Sequence, residues 1–175
     1  MQSSLIVGFS RNKGLFSRLI NLICGDKETH CFMYIPAPQI PGVLNDVNVI
    51  YHAAALNVHY ISEENFFKMA KGQEILSLWE VPVTEERAAW AKRQRFVEAG
   101  KKYGIPLIFG HLAKILLKRL LNINIKSPFS DGKESYICVE VCCNQLGVTD
   151  VAEEWTVGDL YKFVSKMEGA KSLLD

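Results

Sequence analysis

The chain has 175 residues, 49% hydrophobic and 22% charged, which sets it apart from disordered and membrane-spanning compositions and lets it bury a core without disulfides or metals. Its 20 Lys and Arg against 19 Asp and Glu leave a formal charge of +1, so no global field draws it to nucleic acid or to an anionic membrane. One globular domain spanning 1–175 is the expected organisation.

In chain order, an apolar strand is expected over 5–9, and Leu15, Phe16, Leu19, Ile20, Leu22 and Ile23 recur at helical spacing before Gly25, a good C-terminal cap. Three segments rich in β-branched and aromatic residues, 31–35, 47–53 and 58–61, are separated by Pro, Gly and Asn and read as successive antiparallel strands. Ser62 with Glu63 and Glu64 opens a short helix through Met69, and 74–81 restores a strand that Pro82 should end. Thr84-Glu85-Glu86 caps a long helix expected to run to about Lys102. Residues 103–106 break it, and a second helix is expected over 107–121. A polar turn-rich loop over 126–134 leads to a helix over 137–146 stopped by Gly147, and Thr156 with Asp159 forms a capping box for a last helix to Met167. The class is α+β, an antiparallel sheet packed against helices.

Residues 1–6 carry no basic region, long hydrophobic stretch or small-residue cleavage site, so cytoplasmic synthesis without Sec export is expected. The most apolar segment, 107–121, is interrupted by Gly110, His111, Lys114, Lys118 and Arg119; it reads as a helix with one buried face, not as stable membrane insertion. His111, beside Lys114 and Lys118, is expected on the solvated face. The five cysteines, 24, 31, 138, 142 and 143, match no CxxC pair and no zinc spacing, so reduced thiols with no metal and no cofactor are the reading.

A thiol becomes a nucleophile when its pKa is lowered, and a helix N-terminus does this because its unpaired N–H groups favour the thiolate. Cys138 stands where such a helix starts, whereas Cys142 and Cys143 lie a turn or more further along. The commonest fate of a free cysteine, a small buried hydrophobe, remains the alternative for all three. The nucleophile also needs a base and a group to orient that base. His30, at the mouth of the strand over 31–35, is the candidate base; His52, in the next strand, is the candidate orienter, with His59 in reserve. Either ring read alone is more often a strand histidine bonded to a carbonyl.

The run Thr29-His30-Cys31-Phe32-Met33-Tyr34-Ile35, then Val49-Ile50-Tyr51-His52-Ala53, then Tyr136-Ile137-Cys138-Val139-Glu140-Val141 resembles the circularly permuted NlpC-type papain-like hydrolases, in which the histidine strand precedes the cysteine helix. Gly100-Lys101-Lys102-Tyr103-Gly104, Pro128-Phe129 and Trp155-Thr156-Val157-Gly158-Asp159-Leu160 extend the resemblance over most of the chain. Thr29 and Val139 stand where that group usually has Ser, and His52 where many members have Glu. The resemblance implies a permuted papain-like fold with Cys138 as nucleophile, His30 as base and His52 as third member. It also implies cleavage of an amide or peptide bond through a thioester, with a cell-wall peptide as substrate and a phage virion or tail component as one setting. Glu140, in the first turn of the cysteine helix, is read as structural.

The alternative within the same resemblance is a lipid acyltransferase or thioesterase of the lecithin retinol acyltransferase-like type, with the basic leucine-rich helix at a membrane surface. A non-catalytic assembly module that keeps the fold is the third reading.

Overall fold

The computed structural model describes residues 2–37, 47–54, 57–69, 73–122, 135–150 and 154–174. Its centre is one sheet in the order β7-β6-β4-β3-β2-β1-β5-β8. The inner strands are β1 (Gln2–Arg11), β2 (His30–Ile35), β3 (Val49–Ala54), β4 (Asn57–Ser62) and β5 (Glu74–Thr84). Short strands β6 (Lys102–Tyr103), β7 (Ser135–Tyr136) and β8 (Lys171–Ser172) complete it, with β7 and β8 at the two edges. All neighbours are antiparallel except β6 and β7. The helices are α1 (Leu15–Cys24), α2 (Glu63–Met69), α3 (Glu85–Glu98), α4 (Ile105–Leu121), α5 (Cys138–Leu146) and α6 (Val157–Ser165). The architecture is α+β.

The period-two alternation of the strands decides what each face meets. Cys31, Met33 and Ile35 of β2, with Tyr51 and Ala53 of β3, join Val139, Val141, Cys142, Cys143 and Leu146 of α5 in the main core. Phe32, Ile50 and Leu78 turn the other way and pack on Phe66 of α2. A third cluster, Cys24, Ile108, Leu112 and Ile137, packs α1 and α4 against the entrance of α5. Gly8 lies opposite Phe32 in the ladder, and a Cβ there would overlap the Phe32 ring, so a glycine is required for that close approach.

Several boundaries depart from the sequence expectation. Pro82 does not end β5, which runs on to Thr84; Pro82 lies opposite Ser4 of β1, while the outer neighbour β8 pairs only at Trp79 and Glu80. At Pro82 the strand is therefore a sheet edge, where a missing N–H costs little. Helix α3 stops at Glu98 instead of Lys102, because the chain there turns through Gly100 (φ +88°) and bonds to β4 instead. Gly100 N–H donates to Val58 O at 2.7 Å and Val58 N–H to Lys101 O at 2.8 Å. Helix α4 begins two residues earlier than expected, at Ile105, with Pro106 in its first turn, a position where no N–H is needed. The helix ends at Gly25 and Gly147 and the Thr156–Asp159 capping box occur where the sequence places them. The expected loop over 126–134 lies outside the described residues.

A polar cluster centred on Glu98 is buried in this apolar frame. Glu98, at the end of α3, accepts from Tyr51 Oη of β3 (3.0 Å), Asn144 Nδ2 (2.7 Å) and Gln145 Nε2 (3.4 Å) of α5, and Gln94 Nε2 (3.3 Å). Arg95 Nε donates to Gln145 Oε1 at 3.0 Å. Glu98→Leu would leave four donors without their acceptor, and urea unfolding should register a loss of about 2–4 kcal/mol. A loss below about 0.5 kcal/mol, the range of an ordinary surface change, would show that these bonds hold nothing together.

Candidate active site

His30 is the first residue of β2, and Met33 of β2 lies opposite Tyr51 of β3. That register puts His30 and His52 on the same face of the sheet, away from α5 and toward Phe66. The rings meet: His30 Nε2 is 3.0 Å from His52 Nδ1, and the His30 ring stacks on Phe66 with centroids 6.3 Å apart. His52 lies directly opposite His59 on β4, with Nε2 to Nε2 at 3.2 Å. His59 Nδ1 in turn donates to Asn57 O at 3.1 Å.

Cys138 is the first residue of α5, so its N–H has no partner within the helix. Ile137 N–H, just before it, donates to Glu140 Oε2 at 2.8 Å, a capping contact consistent with a structural Glu140. The Cys138 side chain adjoins Cys31 and His30, and both act on its thiol. The structure thus joins His30, His52 and His59 in one hydrogen-bond chain and places Cys138 beside its His30 end.

The electrostatics separate these groups. Donation from the Cys31 thiol holds the Cys138 thiol well below its ordinary range despite burial; the bond and charge of His30 and the Cys31 N–H add to it. Cys31 itself is pushed up, chiefly by burial and by its bonds to Cys138 and Cys142, so it stays a thiol and a donor. Burial, with His30 and His59 beside it, lowers His52 to about 2, which makes it a neutral ring at any ordinary pH. All five cysteines are buried, and none forms a disulfide.

A cleft of about 520 Å³ opens on this group, with Thr29, His30, His52 and Tyr103 beside the aromatic rings of Phe16 and Phe109. Cys138 lies on a smaller pocket of about 50 Å³ that shares Ile20, Thr29 and Tyr103 with the cleft. Thr29 is fixed by a bond between its hydroxyl and that of Ser17 and by its N–H to Ser10 O at 3.0 Å. Tyr103, pushed well up by burial, keeps its phenolic proton between the two spaces. His111 corrects the expectation of a solvated face: it lines the smaller pocket, and its Nε2 is buried with no hydrogen-bond partner. Burial lowers its pKa, with the Trp155 backbone acting in the opposite direction.

Sequence reasoning assigned no role to Cys31 and kept His59 only in reserve. A tight hairpin between residues 52 and 59 is the signal for His59, since it makes the two positions cross-strand partners. For Cys31 no local signal exists, because its contact with Cys138 depends on how α5 docks.

No family model matches the chain, and no curated protein matches it. Among solved structures it is similar to the metalloprotein yiiX from Escherichia coli O157:H7, described as DUF1105, at 12% identity, over 98% of this chain and 96% of that one, with a TM-score of 0.49. The membership of the permuted NlpC-type group implied by the motifs is corrected accordingly: no family model supports it, and the structural neighbour carries a different family description. Among the described residues no group of three or more His, Cys, Asp or Glu side chains is arranged to hold a metal ion.

The buried neutral His52 has a consequence for stability. Unfolded, the ring takes up a proton below about pH 6.5; folded, it does so only near 2, so the unfolded chain binds more protons between these values. Stability should therefore fall with pH below about 6.5, by about 1.4 kcal/mol per pH unit from this group. Urea unfolding at pH 7 and 5 should show a smaller acid loss in His52→Gln, by about 2 kcal/mol; identical losses would place the acid sensitivity elsewhere.

Proposed function

We propose that this chain is a cysteine-dependent hydrolase that cleaves an amide or peptide bond through a thioester on Cys138, with His30 as base and His52 as the residue that orients it. The observation that carries this reading is the contact chain itself. Cys138 at a helix N-terminus adjoins His30, and because His30 Nε2 is engaged by His52 at 3.0 Å, Nδ1 is the ring nitrogen available to the thiol. A helix-borne cysteine beside a strand-borne histidine supplies a nucleophile and a base from two different elements.

The steps follow from these positions. His30 Nδ1 takes the Cys138 proton and the thiolate sulfur forms a bond to the substrate carbonyl carbon. Negative charge on the carbonyl oxygen meets the Cys138 N–H, which the helix leaves without an internal partner. On collapse the carbon–nitrogen bond breaks and the amine leaves with the proton from His30. Water, deprotonated by the same ring, then attacks the thioester carbon, and the acid and free Cys138 are released. His52, neutral throughout, accepts from the imidazolium that forms between steps.

A cell-wall peptide is the first substrate class to examine. A second reading, an acyl ester or lipid acyl group, is favoured by one observation: the cleft beside His30 is walled by Phe16, Ile20, Phe66, Ile105 and Phe109. No helix among the described residues is long and apolar enough to cross a membrane.

Iodoacetamide near neutral pH should alkylate Cys138 ahead of the other four thiols, and His30→Ala should slow it by about tenfold or more. Turnover of peptide amides, muropeptides and phospholipid esters, followed by mass spectrometry of the Cys138 adduct, assigns the substrate class. His30→Ala should lower turnover about 100-fold or more. Equal labelling of all five thiols, with no adduct from any substrate, would overturn the hydrolase.

A further inference from the structure

His59 lies outside the three groups that the proposed chemistry needs, yet it ends their hydrogen-bond chain. The direction of that chain can be worked out from its outer end. The Asn57 carbonyl can only accept, so His59 Nδ1 must carry a proton. In a neutral His59 ring, Nε2 is then the acceptor, and the contact at 3.2 Å requires His52 Nε2 to donate. A neutral His52 that donates through Nε2 has its lone pair on Nδ1, and the contact at 3.0 Å then requires His30 Nε2 to donate. The lone pair of a neutral His30 is thereby left on Nδ1, on the side of Cys138. Reversing any one link reverses all of them and gives His30 a proton where the base needs a lone pair.

Resting on the reading of His30 as base, we propose that His59 is a positioning residue that fixes the tautomers of His52 and His30 through the Asn57 carbonyl and so presents the His30 lone pair to Cys138. The side chain touches no reacting atom; it acts through His52. Its placement serves this role: the β3–β4 register sets it directly opposite His52, and the ring centroids are 4.6 Å apart. The carbonyl that anchors it belongs to Asn57, whose position is held by the pairing of β4 with Lys102 of β6. His52 itself is nearly enclosed, at 3% exposure, so water does not compete for its Nε2 as it would at a surface ring.

The test compares two variants in the full chain. Glutamine at 59 can place its amide oxygen where His59 Nε2 stands, whereas leucine offers no acceptor. His59→Leu should slow iodoacetamide alkylation of Cys138 at neutral pH by roughly five- to tenfold, the loss of one neutral hydrogen bond, and His59→Gln should stay within about twofold of the original chain. Long-range proton–nitrogen spectra of the unaltered protein give a second reading that does not depend on either variant folding: protonated Nδ1 on His59 and protonated Nε2 on His52. Equal slowing by Gln and Leu would reduce His59 to packing, and unchanged labelling in both, or a proton on His52 Nδ1, would overturn the proposal. If Cys138 in the unaltered chain labels no faster than the other thiols, the hydrolase reading falls by itself, and the spectra still decide how the three rings are arranged.

Discussion

The carboxyl group of Glu98 is the constraint on which the relative placement of sheet and helix depends. It accepts from Tyr51, the residue before His52, and from Asn144 and Gln145, which lie on the same helix as Cys138. The strand that carries the orienting ring and the helix that carries the thiol are therefore pinned to one buried group. A buried carboxyl group is costly unless its oxygens are occupied, and here four donors occupy them. Apolar packing of α5 on β2 and β3 would tolerate small slides of the helix along the sheet; directed hydrogen bonds at 2.7 to 3.0 Å tolerate much less. The polar clamp fixes the register that the main core leaves soft, and a nucleophile needs its base within a few tenths of an ångström.

Much of this was legible in the sequence where the signal is local. Helix periodicity and glycine caps mark α1 and α5, the Thr156–Asp159 box marks α6, and β-branched runs mark the inner strands. The candidates His30, His52 and Cys138 were legible as residue types at a strand mouth, in a strand and at a helix start, and the structure brings them together. What could not be read depends on distant partners. Lys102 reads as the end of a helix and Tyr103 as its break, and only the edge of β4 makes a strand of the two. Pro82 reads as a strand breaker until its outer side is known to be an edge. Glu98 looks like one more acid on a charged helix, since nothing in α3 announces that Tyr51 and Asn144 will meet it. His111 has lysines at its helical neighbours and still faces inward, because α1 and the entrance of α5 cover that side of α4.

The motif resemblance and the chemistry of the site also differ in what they rest on. Short matches around a histidine strand and a cysteine helix are compatible with the site's geometry, and yet no family model extends them to the whole chain. A cysteine, a base and an orienter recur on unrelated folds, so the site has to be argued from contacts and electrostatics, not from descent.

Those contacts have an unusual composition. In place of a carboxylate or amide behind the base there are imidazoles, and beside the nucleophile there is a second thiol, Cys31, that favours its ionised form. Each choice follows from burial. A carboxylate at the position of His52 would itself have to be desolvated, whereas a neutral ring is enclosed at lower cost and still offers one acceptor. The thiolate that forms at Cys138, 7% exposed, likewise cannot rely on water and is supported by Cys31 on the strand beneath it. The cost is transferred to proton placement: a carboxylate accepts whichever way its neighbours point, but an imidazole accepts at only one nitrogen. A site built on neutral rings works only if something outside it sets the direction of the chain, and the backbone carbonyl of Asn57 is the one fixed acceptor in that chain.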